Sequence, residues 1–520
     1  MRRPVEHRPS FSRLATRLNA IPERVALCFP WYTVRIMNLS KIENFQDAIV
    51  TVMGLGRYSQ GSGLGATKWL LRHGAQTVIT DLKDAAELKE SVDLVMDWHA
   101  KYRAQFPNRT IYQPLFILGQ HRQEDFVNVD CVVQNPGVPS ESEFVVAARE
   151  KGVAIESDVS LFFRFYPHPI IAVTGTRGKT TTTMLTGAML KKLDPQAIIA
   201  GNVKVSPLES LDDLLVRKEP TPVVLELSSW LLESMPQALK DLKQGPDIAV
   251  FTNAFPDHLN RYASYEDYIK SKEIIFEFQT PEQFTVLNFD NDIVRGMESR
   301  VKGKLFWCSK TYMEKNGCYV KDGVVVFRRD GADTALVSTS EIGLQGEHNL
   351  ENVLTSACAA LLRGVAVDAV CDVLRTFKGV DDRQELVREV DEISYVNDTT
   401  ATSPDAVVAA LKRFGGKDDI ILICGGEDKK LDFTPMIAAI PPTCKVVILF
   451  PGSASDVIEP SILGKVTIDH AANMKEAVQK ARAVATRGDI VLLSPGAASF
   501  NMFKNEFDRG EQFREEVRNL

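Results

Sequence analysis

Pro169-Ile-Ile-Ala-Val-Thr174-Gly175-Thr176-Arg177-Gly178-Lys179-Thr180-Thr181-Thr182-Thr183 decides how this chain is read. An apolar, β-branched run breaks into two glycines and then into Lys-Thr and a polar helix start, which spells strand, loop, helix. Glycines let backbone amides converge on a phosphate, Lys179 can reach the β/γ oxygens, and the Thr180 hydroxyl can ligate Mg²⁺. The loop is shorter than the generic G-x-x-x-x-G-K-T, because Val173 stands where the first glycine would be. A chance Gly-Lys turn is the competing reading, and the strand and helix on either side speak against it.

Downstream, Val223-Val-Leu-Glu226 ends an apolar strand in an acid, which is costly inside a sheet unless the carboxylate meets a cation. A Mg²⁺ ligand or a water-positioning group fits, and so does a plain strand-end glutamate facing solvent. The strand Asp247 to Thr252 then runs into Asn253, Asp257, His258, Asn260, Arg261 and Tyr262. Polar loops at the C-terminal edge of a parallel sheet are where ligands bind in such folds; a solvated loop is the alternative. Lys270 and Lys272 follow on a helix-like segment, where most lysines simply face water.

Upstream, the strand Ala48 to Met53 runs into Gly54, Gly56, Gly61, Gly63 and Gly65, then a helix over Ala66 to His73 and a strand Thr77 to Thr80 ending at Asp81. A further strand, Cys131 to Val133, leads to Asn135-Pro136-Gly137. Gly61-Ser-Gly63-Leu-Gly65-Ala66 fits G-x-G-x-x-A, with Asp81 near the place of a ribose-binding acid. A nicotinamide dinucleotide, another nucleotide held at a helix N-terminus, and no ligand at all remain open for this motif. Toward the C-terminus, strands Ile393 to Val396, Ile420 to Ile423 and Ile490 to Leu493 each end in a small or polar loop, and a helix is expected over Phe500 to Asn519. Strands alternating with helices throughout predict parallel, doubly wound α/β architecture.

The whole chain has 520 residues, 44% hydrophobic and 25% charged, with a net charge of −7. Length alone suggests about three domains. The composition excludes a disordered or collagen-like chain, and the charge offers no global basic surface for nucleic acid. Eight cysteines without a C-x-x-C pair make no disulfide framework and point to a reducing cytoplasm. No stretch is apolar enough for a membrane span. Residues 1–36 carry seven arginines and two acids, Glu6 and Glu23. They read as an extension ahead of the fold, with Met37 a possible start, and their removal is expected to leave activity intact. The folded chain is expected to begin near Ala48.

In order, Gly175 to Thr180, Glu226-Leu-Ser-Ser229, Asn253…Asp257-His258…Arg261-Tyr262, Gly346-Glu-His-Asn349, Asn397-Asp398…Ala401-Thr402, Gly425-Gly426…Lys429…Asp432-Phe433 and Leu493-Ser-Pro…Ala498-Ser499…Phe503-Lys504-Asn505 form a set. This set resembles the Mur ligase family, ATP-dependent amide-forming enzymes of peptidoglycan synthesis, over about residues 48–515. The resemblance implies three α/β domains: a Rossmann-like domain for the UDP-substrate over 48–167, a phosphate-loop ATP domain over 168–377, and a Rossmann-like amino-acid domain over 378–520. Residues 1–47 would precede them. It implies ATP and Mg²⁺ as cofactors, UDP-N-acetylmuramoyl-L-alanine and glutamate as substrates, and a monomer; the resemblance favours D-glutamate, and addition of L-glutamate or action on another Mur intermediate are the alternatives.

Residue roles follow from the same resemblance. Gly175, Thr176, Arg177, Gly178, Lys179, Thr180 and Thr181 would hold the nucleotide phosphates; Asn349 and Asn352 would lie on its adenine side. Thr180, Glu226, His258 and a carbamylated Lys272 would hold metal, and Arg383 and Asp398 would face ATP from the third domain. Gly56, Asp81 and Asn202 would contact the UDP-substrate, and Thr402, Lys429 and Ser499 the incoming glutamate. The sequence departs from the family at Asp382, where a histidine is usual, at Thr400, where a lysine is common, and at Glu506, which shifts an aromatic to Phe507. A nicotinamide-dependent oxidoreductase built on the first glycine-rich loop is the rival from another class; it leaves Gly175 to Thr180 unexplained.

Overall fold

The computed structural model describes residues 39–520 apart from Lys204, 258–260, Gln345, 417–418, 429–430 and 500–501, with the side chains of Glu347 and His348 also left out. His258, Lys429 and the segment 1–36 with Met37 therefore lie outside the described residues. The chain divides into two compact units, one ending at Ile342 and resuming over Glu347–Thr376, the other formed by Gly343–Gly346 and Phe377–Leu520.

The described strands form three sheets. The first has the spatial order Leu115–Leu118, Gln76–Asp81, Ile49–Met53, Cys131–Gln134, Ala154–Glu156, all parallel. Val50, Thr51, Val52 and Met53 are all buried, the mark of a strand covered on both faces. The helix Ser62–Arg72 begins four residues ahead of the expected Ala66, because Gly61 rather than a polar side chain caps it. The fold also begins before Ala48. A short turn, Ile42–Phe45, buries Phe45 edge-on against Trp69, with ring centroids 5.2 Å apart. One aromatic in a polar stretch is enough to dock it.

The second sheet has nine strands, and its parallel portion places Ile248–Phe251, Ile170–Thr174, Val223–Glu226 and Ile198–Gly201 side by side. Ile170–Thr174 is buried along its whole length and delivers the glycine loop at its C-terminal end. The helix that follows, Lys179–Leu193, starts with four threonines, poor helix formers in isolation. Thr182, Thr183 and Thr186 are buried, and the helix Glu347–Leu362 packs on this face: Ser356 Oγ donates to Thr182 O at 3.1 Å. At the far edge, Gly317–Lys321, Val324–Arg329 and Ala332–Ser338 form two antiparallel hairpins. Their turns are Asp322-Gly323 and Asp330-Gly331, with φ of 51°, 75°, 52° and 85°. Left-handed pairs of this kind match the strand twist.

The third sheet runs Glu385–Val390, Ile393–Asn397, Ile490–Leu493, Ile420–Gly425, Cys444–Phe450, Thr467–His470, parallel except for its first strand. The last helix is Glu506–Arg518, starting later than the expected Phe500 because Asn505 caps it, its Oδ1 accepting from the amides of Phe507 and Asp508. The α/β class and three-domain architecture expected from the sequence hold. No helix among the described residues is long and apolar enough to cross a membrane.

Candidate active site

The loop Gly175 to Gly178 is held from behind by the end of the neighbouring strand. Asn253 O accepts from the Thr176 amide and Asn253 Oδ1 from the Arg177 amide, each at 2.8 Å, while Thr252 Oγ1 donates to Arg177 O at 2.7 Å. A Cβ on Gly175 would fall 2.0 Å from Thr252 Oγ1, and one on Gly178, whose φ is 77°, 2.2 Å from Asn352 Oδ1. Both glycines are therefore required for the loop to sit where it does. The first turn of Lys179–Leu193 then presents amides that have no carbonyl partner within the helix, with the positive end of the dipole behind them.

Two lysines converge on this loop. Lys179 Nζ donates to Gly175 O at 3.0 Å and to Thr176 O at 2.9 Å. Lys272, 2% exposed, donates to the same Gly175 O at 2.9 Å, and its Nζ lies 4.7 Å from the Tyr268 ring centroid. Tyr268 in turn shares a 3.1 Å hydrogen bond with Thr176 Oγ1. Burial and then the Lys179 charge push the Lys272 amine well below the ordinary lysine range, against the pull of Asp257, Glu226 and Glu233. Lys270, two residues away, is exposed and pairs with Asp267 at 3.8 Å.

Glu226 is 1% exposed at the end of its strand. Its Oε1 accepts from Asn202 Nδ2 at 2.7 Å, and its Oε2 is buried without a hydrogen-bond partner among the described residues. A buried carboxylate oxygen with no donor is where a cation fits, so the residues present suit a Mg²⁺ ion. The loop after Asn253 is anchored through Glu233, which receives Arg261 Nη2 at 3.1 Å and the Tyr262 hydroxyl. Asn352 Oδ1 accepts from Thr182 Oγ1 at 3.3 Å, and Asn352 Nδ2 donates to Asn349 Oδ1 at 3.2 Å, so Asn352 meets the phosphate-loop helix directly and Asn349 stands behind it. In this unit the fold thus gathers Gly175 to Thr181, Asn202, Glu226, Lys272, Asn349 and Asn352.

The first glycine-rich motif works through packing. A Cβ on Gly63 would lie 2.3 Å from both Gly54 O and Leu55 O, and one on Gly65 2.4 Å from Ser206 Cβ. Asp81 is 7% exposed, and its Oδ2 accepts from the amides of Leu55 at 3.0 Å and Gly56 at 3.3 Å. Gly56 and Asp81 therefore meet at the strand ends, where Asp81 shapes the loop.

In the second unit, Asp398 is 5% exposed and accepts from Ser494 Oγ at 2.9 Å and the Gln384 amide at 3.2 Å. Burial pushes its carboxyl up to about 7, in spite of Ser494 and the Arg383 charge. Arg383 is exposed, Thr402 half-buried and Ser499 buried. Arg509 had no motif to announce it. It is 1% exposed and binds Thr399 Oγ1 at 3.0 Å and Thr399 O at 2.8 Å; burial pushes its guanidinium down to about 10. Tyr268 was equally unannounced, although its i,i+4 spacing to Lys272 on one helix was visible.

Residues 173–360 match the Mur ligase middle domain, and residues 382–496 match the Mur ligase, glutamate ligase domain. A UDP-N-acetylmuramoylalanine--D-glutamate ligase from Roseiflexus sp. (strain RS-1) is 40% identical over 478 residues, 89% of this chain and 97% of that one. One of the same name from Acidobacterium capsulatum is 35% identical over 470 residues, 90% and 95%. Among solved structures, the UDP-N-acetylmuramate-alanine ligase of Thermotoga maritima aligns with a TM-score of 0.54 at 18% identity, covering 91% of this chain and 99% of that one. A MurF from Acinetobacter baumannii aligns at 0.55 and 15%, covering 90% and 93%. With both family domains matched in order and the relatives spanned nearly end to end, the chain belongs to the Mur ligase family of ATP-dependent, amide-forming ligases.

Proposed function

We propose that this protein joins D-glutamate to UDP-N-acetylmuramoyl-L-alanine in the cytoplasm, as a monomer, with residues 48–167 taking the UDP-substrate, 168–377 ATP and 378–520 the amino acid. The terminal carboxylate of the UDP-substrate attacks the γ-phosphorus of ATP, and ADP leaves. The glutamate amine then attacks the acyl phosphate carbon, loses a proton, and the tetrahedral intermediate expels phosphate as the amide forms. Little covalent work falls to the protein; positioning and charge neutralisation around the phosphoryl group are its tasks.

The observation that carries this reading is the meeting of Lys179 and Lys272 on Gly175 O, beside a loop that Asn253 and Thr252 hold rigid. Lys179 is close enough to exchange its loop carbonyls for phosphate oxygens. Thr180, Glu226, His258 and Lys272 would hold Mg²⁺, which on binding would neutralise phosphate charge and polarise the transferring group. Lys272 serves as a carbamate: its depressed amine is the neutral nucleophile that takes up CO₂, releasing a proton, and the product offers anionic oxygens to a hard cation. Arg383 and Asp398 face ATP from the third domain. Gly56, Asp81 and Asn202 serve the UDP-substrate, and Thr402, Lys429 and Ser499 the glutamate. D-glutamate is preferred over L-glutamate because the relatives above carry that amino acid in their names.

Phosphate release measured with UDP-N-acetylmuramoyl-L-alanine, ATP and, in parallel, D-glutamate, L-glutamate, L-alanine and diaminopimelate tests the assignment. Release should require every component and favour D-glutamate. A preference for L-alanine or diaminopimelate would overturn it.

A further inference from the structure

Arg383 stands exposed between Asp382, which is buried, and Gln384, which is half-buried, and both neighbours are held by contacts of their own. On one side the Gln384 amide donates to Asp398 Oδ1 at 3.2 Å. On the other, Asp382 is 6% exposed with a φ of 66°, a left-handed conformation that an aspartate tolerates better than most residues. Its side chain is what holds it there. Asp382 Oδ1 accepts from Arg514 Nη1 at 2.8 Å and Asn397 Nδ2 at 2.9 Å. The same two donors reach Glu385 Oε2 at 3.0 Å and 3.2 Å, and that oxygen also takes the Asp382 amide at 2.9 Å. Asp382 O accepts from Thr400 Oγ1 at 2.9 Å.

The last helix is fitted to this contact. Arg514 is 12% exposed at its side chain. One turn earlier, a Cβ on Gly510 would fall 2.2 Å from Asp382 Oδ1 and 2.6 Å from Thr399 Cγ2, so only glycine lets the helix come this close. Arg514 also pairs with the exposed Glu511 at 2.7 Å; behind that pair, two carboxylates nearly shielded from water share the guanidinium, and removing it leaves them with only the Asn397 side-chain amide bridging the two. Such a cluster is weak evidence of stabilisation and good evidence of a fixed geometry. Its geometric product is a backbone fixed on either side of Arg383, whose own amide donates to Val380 O at 3.1 Å.

We propose that Arg514, acting through Asp382 and Glu385, is a positioning residue that aims Arg383 for the phosphoryl-transfer step. The inference rests on Arg383 facing ATP. Arg514 itself touches no reacting atom.

The test is a double-mutant cycle on the purified full-length ligase, with kcat and KM for ATP measured for Arg383→Ala, Arg514→Met and the double variant. Displacing a phosphate-directed cation by about 1 Å costs on the order of 10- to 100-fold in rate. Arg514→Met is therefore expected to lower kcat at least tenfold in the parent, with a smaller change in KM, and to lower it less than twofold in the Arg383→Ala background. Equal losses in both backgrounds would show a merely structural role and overturn the proposal while leaving the ATP-facing reading of Arg383 intact. Near-normal activity of Arg383→Ala would instead overturn that reading, and the proposal with it. Asp382→Asn keeps the shape and removes one charge of the cluster; should Arg514→Met not fold, it must show the same background-dependent loss for the proposal to stand.

Discussion

Lys179, Lys272 and Asp398 each give a residue-level test. Lys179→Ala should keep the fold and lose activity by orders of magnitude, since the loop lysine meets charge that develops in the transition state; circular dichroism and turnover read the two parts, and a variant retaining a tenth of parental activity contradicts the assignment. Lys272→Ala should fall sharply and recover in part when formate or acetate is added to occupy the vacated carbamate position, with Lys270→Ala unaffected as the control. Asp398 gives a test by pH. An unfolded aspartate ionises near pH ~3.9, whereas burial holds Asp398 up to about 7. Between those values the folded chain keeps a proton that the unfolded chain has released, so this group's contribution is present at low pH and lost as pH rises through the folded value. Asp398→Asn cannot ionise. The Tm difference between variant and parent should therefore move in the variant's favour from about pH 5 to about pH 8, and a difference independent of pH would contradict it. Glu226 and Lys272 were legible in the sequence as types of residue in types of place. The partners that give them chemical character were not: the orphan oxygen of Glu226 and the Gly175 carbonyl under Lys272 depend on strands brought together from distant parts of the chain.

At the level of elements, the apolar runs that feed loops were readable because a parallel strand is buried on both faces and shows as an unbroken β-branched stretch. The hairpins over residues 317–338 carry a readable signal too, since Asp322-Gly323 and Asp330-Gly331 are strong hairpin turns. The first glycine motif shows the limit of a pattern. Its spacing fits a dinucleotide loop, and Gly63 and Gly65 are required by the approach of Gly54, Leu55 and Ser206; such packing occurs with or without a dinucleotide, so the family match and not this motif decides against a nicotinamide enzyme. Gly63→Ala would force a methyl against two carbonyl oxygens and should destabilise by about 1–3 kcal/mol, read as a lowered urea midpoint. An unchanged midpoint would mean that the helix is free to shift.

On the scale of the whole molecule, the first and second sheets share one compact unit, and a polar joint fastens them. Asp212 Oδ1 accepts from Trp69 Nε1 at 3.1 Å and lies 2.9 Å from His73 Nε2, while Asp212 Oδ2 pairs with Arg72 Nε at 2.8 Å. Lys68 meets Glu209 at 3.2 Å beside it. Asp212→Ala removes the partner of Trp69 Nε1 and His73 Nε2 and the counter-charge of Arg72, and should lower the urea midpoint by the equivalent of about 1–3 kcal/mol; an unchanged midpoint would show that the joint is dispensable. Function at this scale lies in the order of two bond-making events, phosphorylation of a carboxylate and then its capture by an amine. Oxygen labelling follows that order. With UDP-N-acetylmuramoyl-L-alanine carrying ¹⁸O in its terminal carboxylate, mass spectrometry of the phosphate released during turnover with ATP and D-glutamate should find one ¹⁸O atom per phosphate, with ADP as the other product. Unlabelled phosphate, or AMP and pyrophosphate in place of ADP, would contradict an acyl-phosphate ligase.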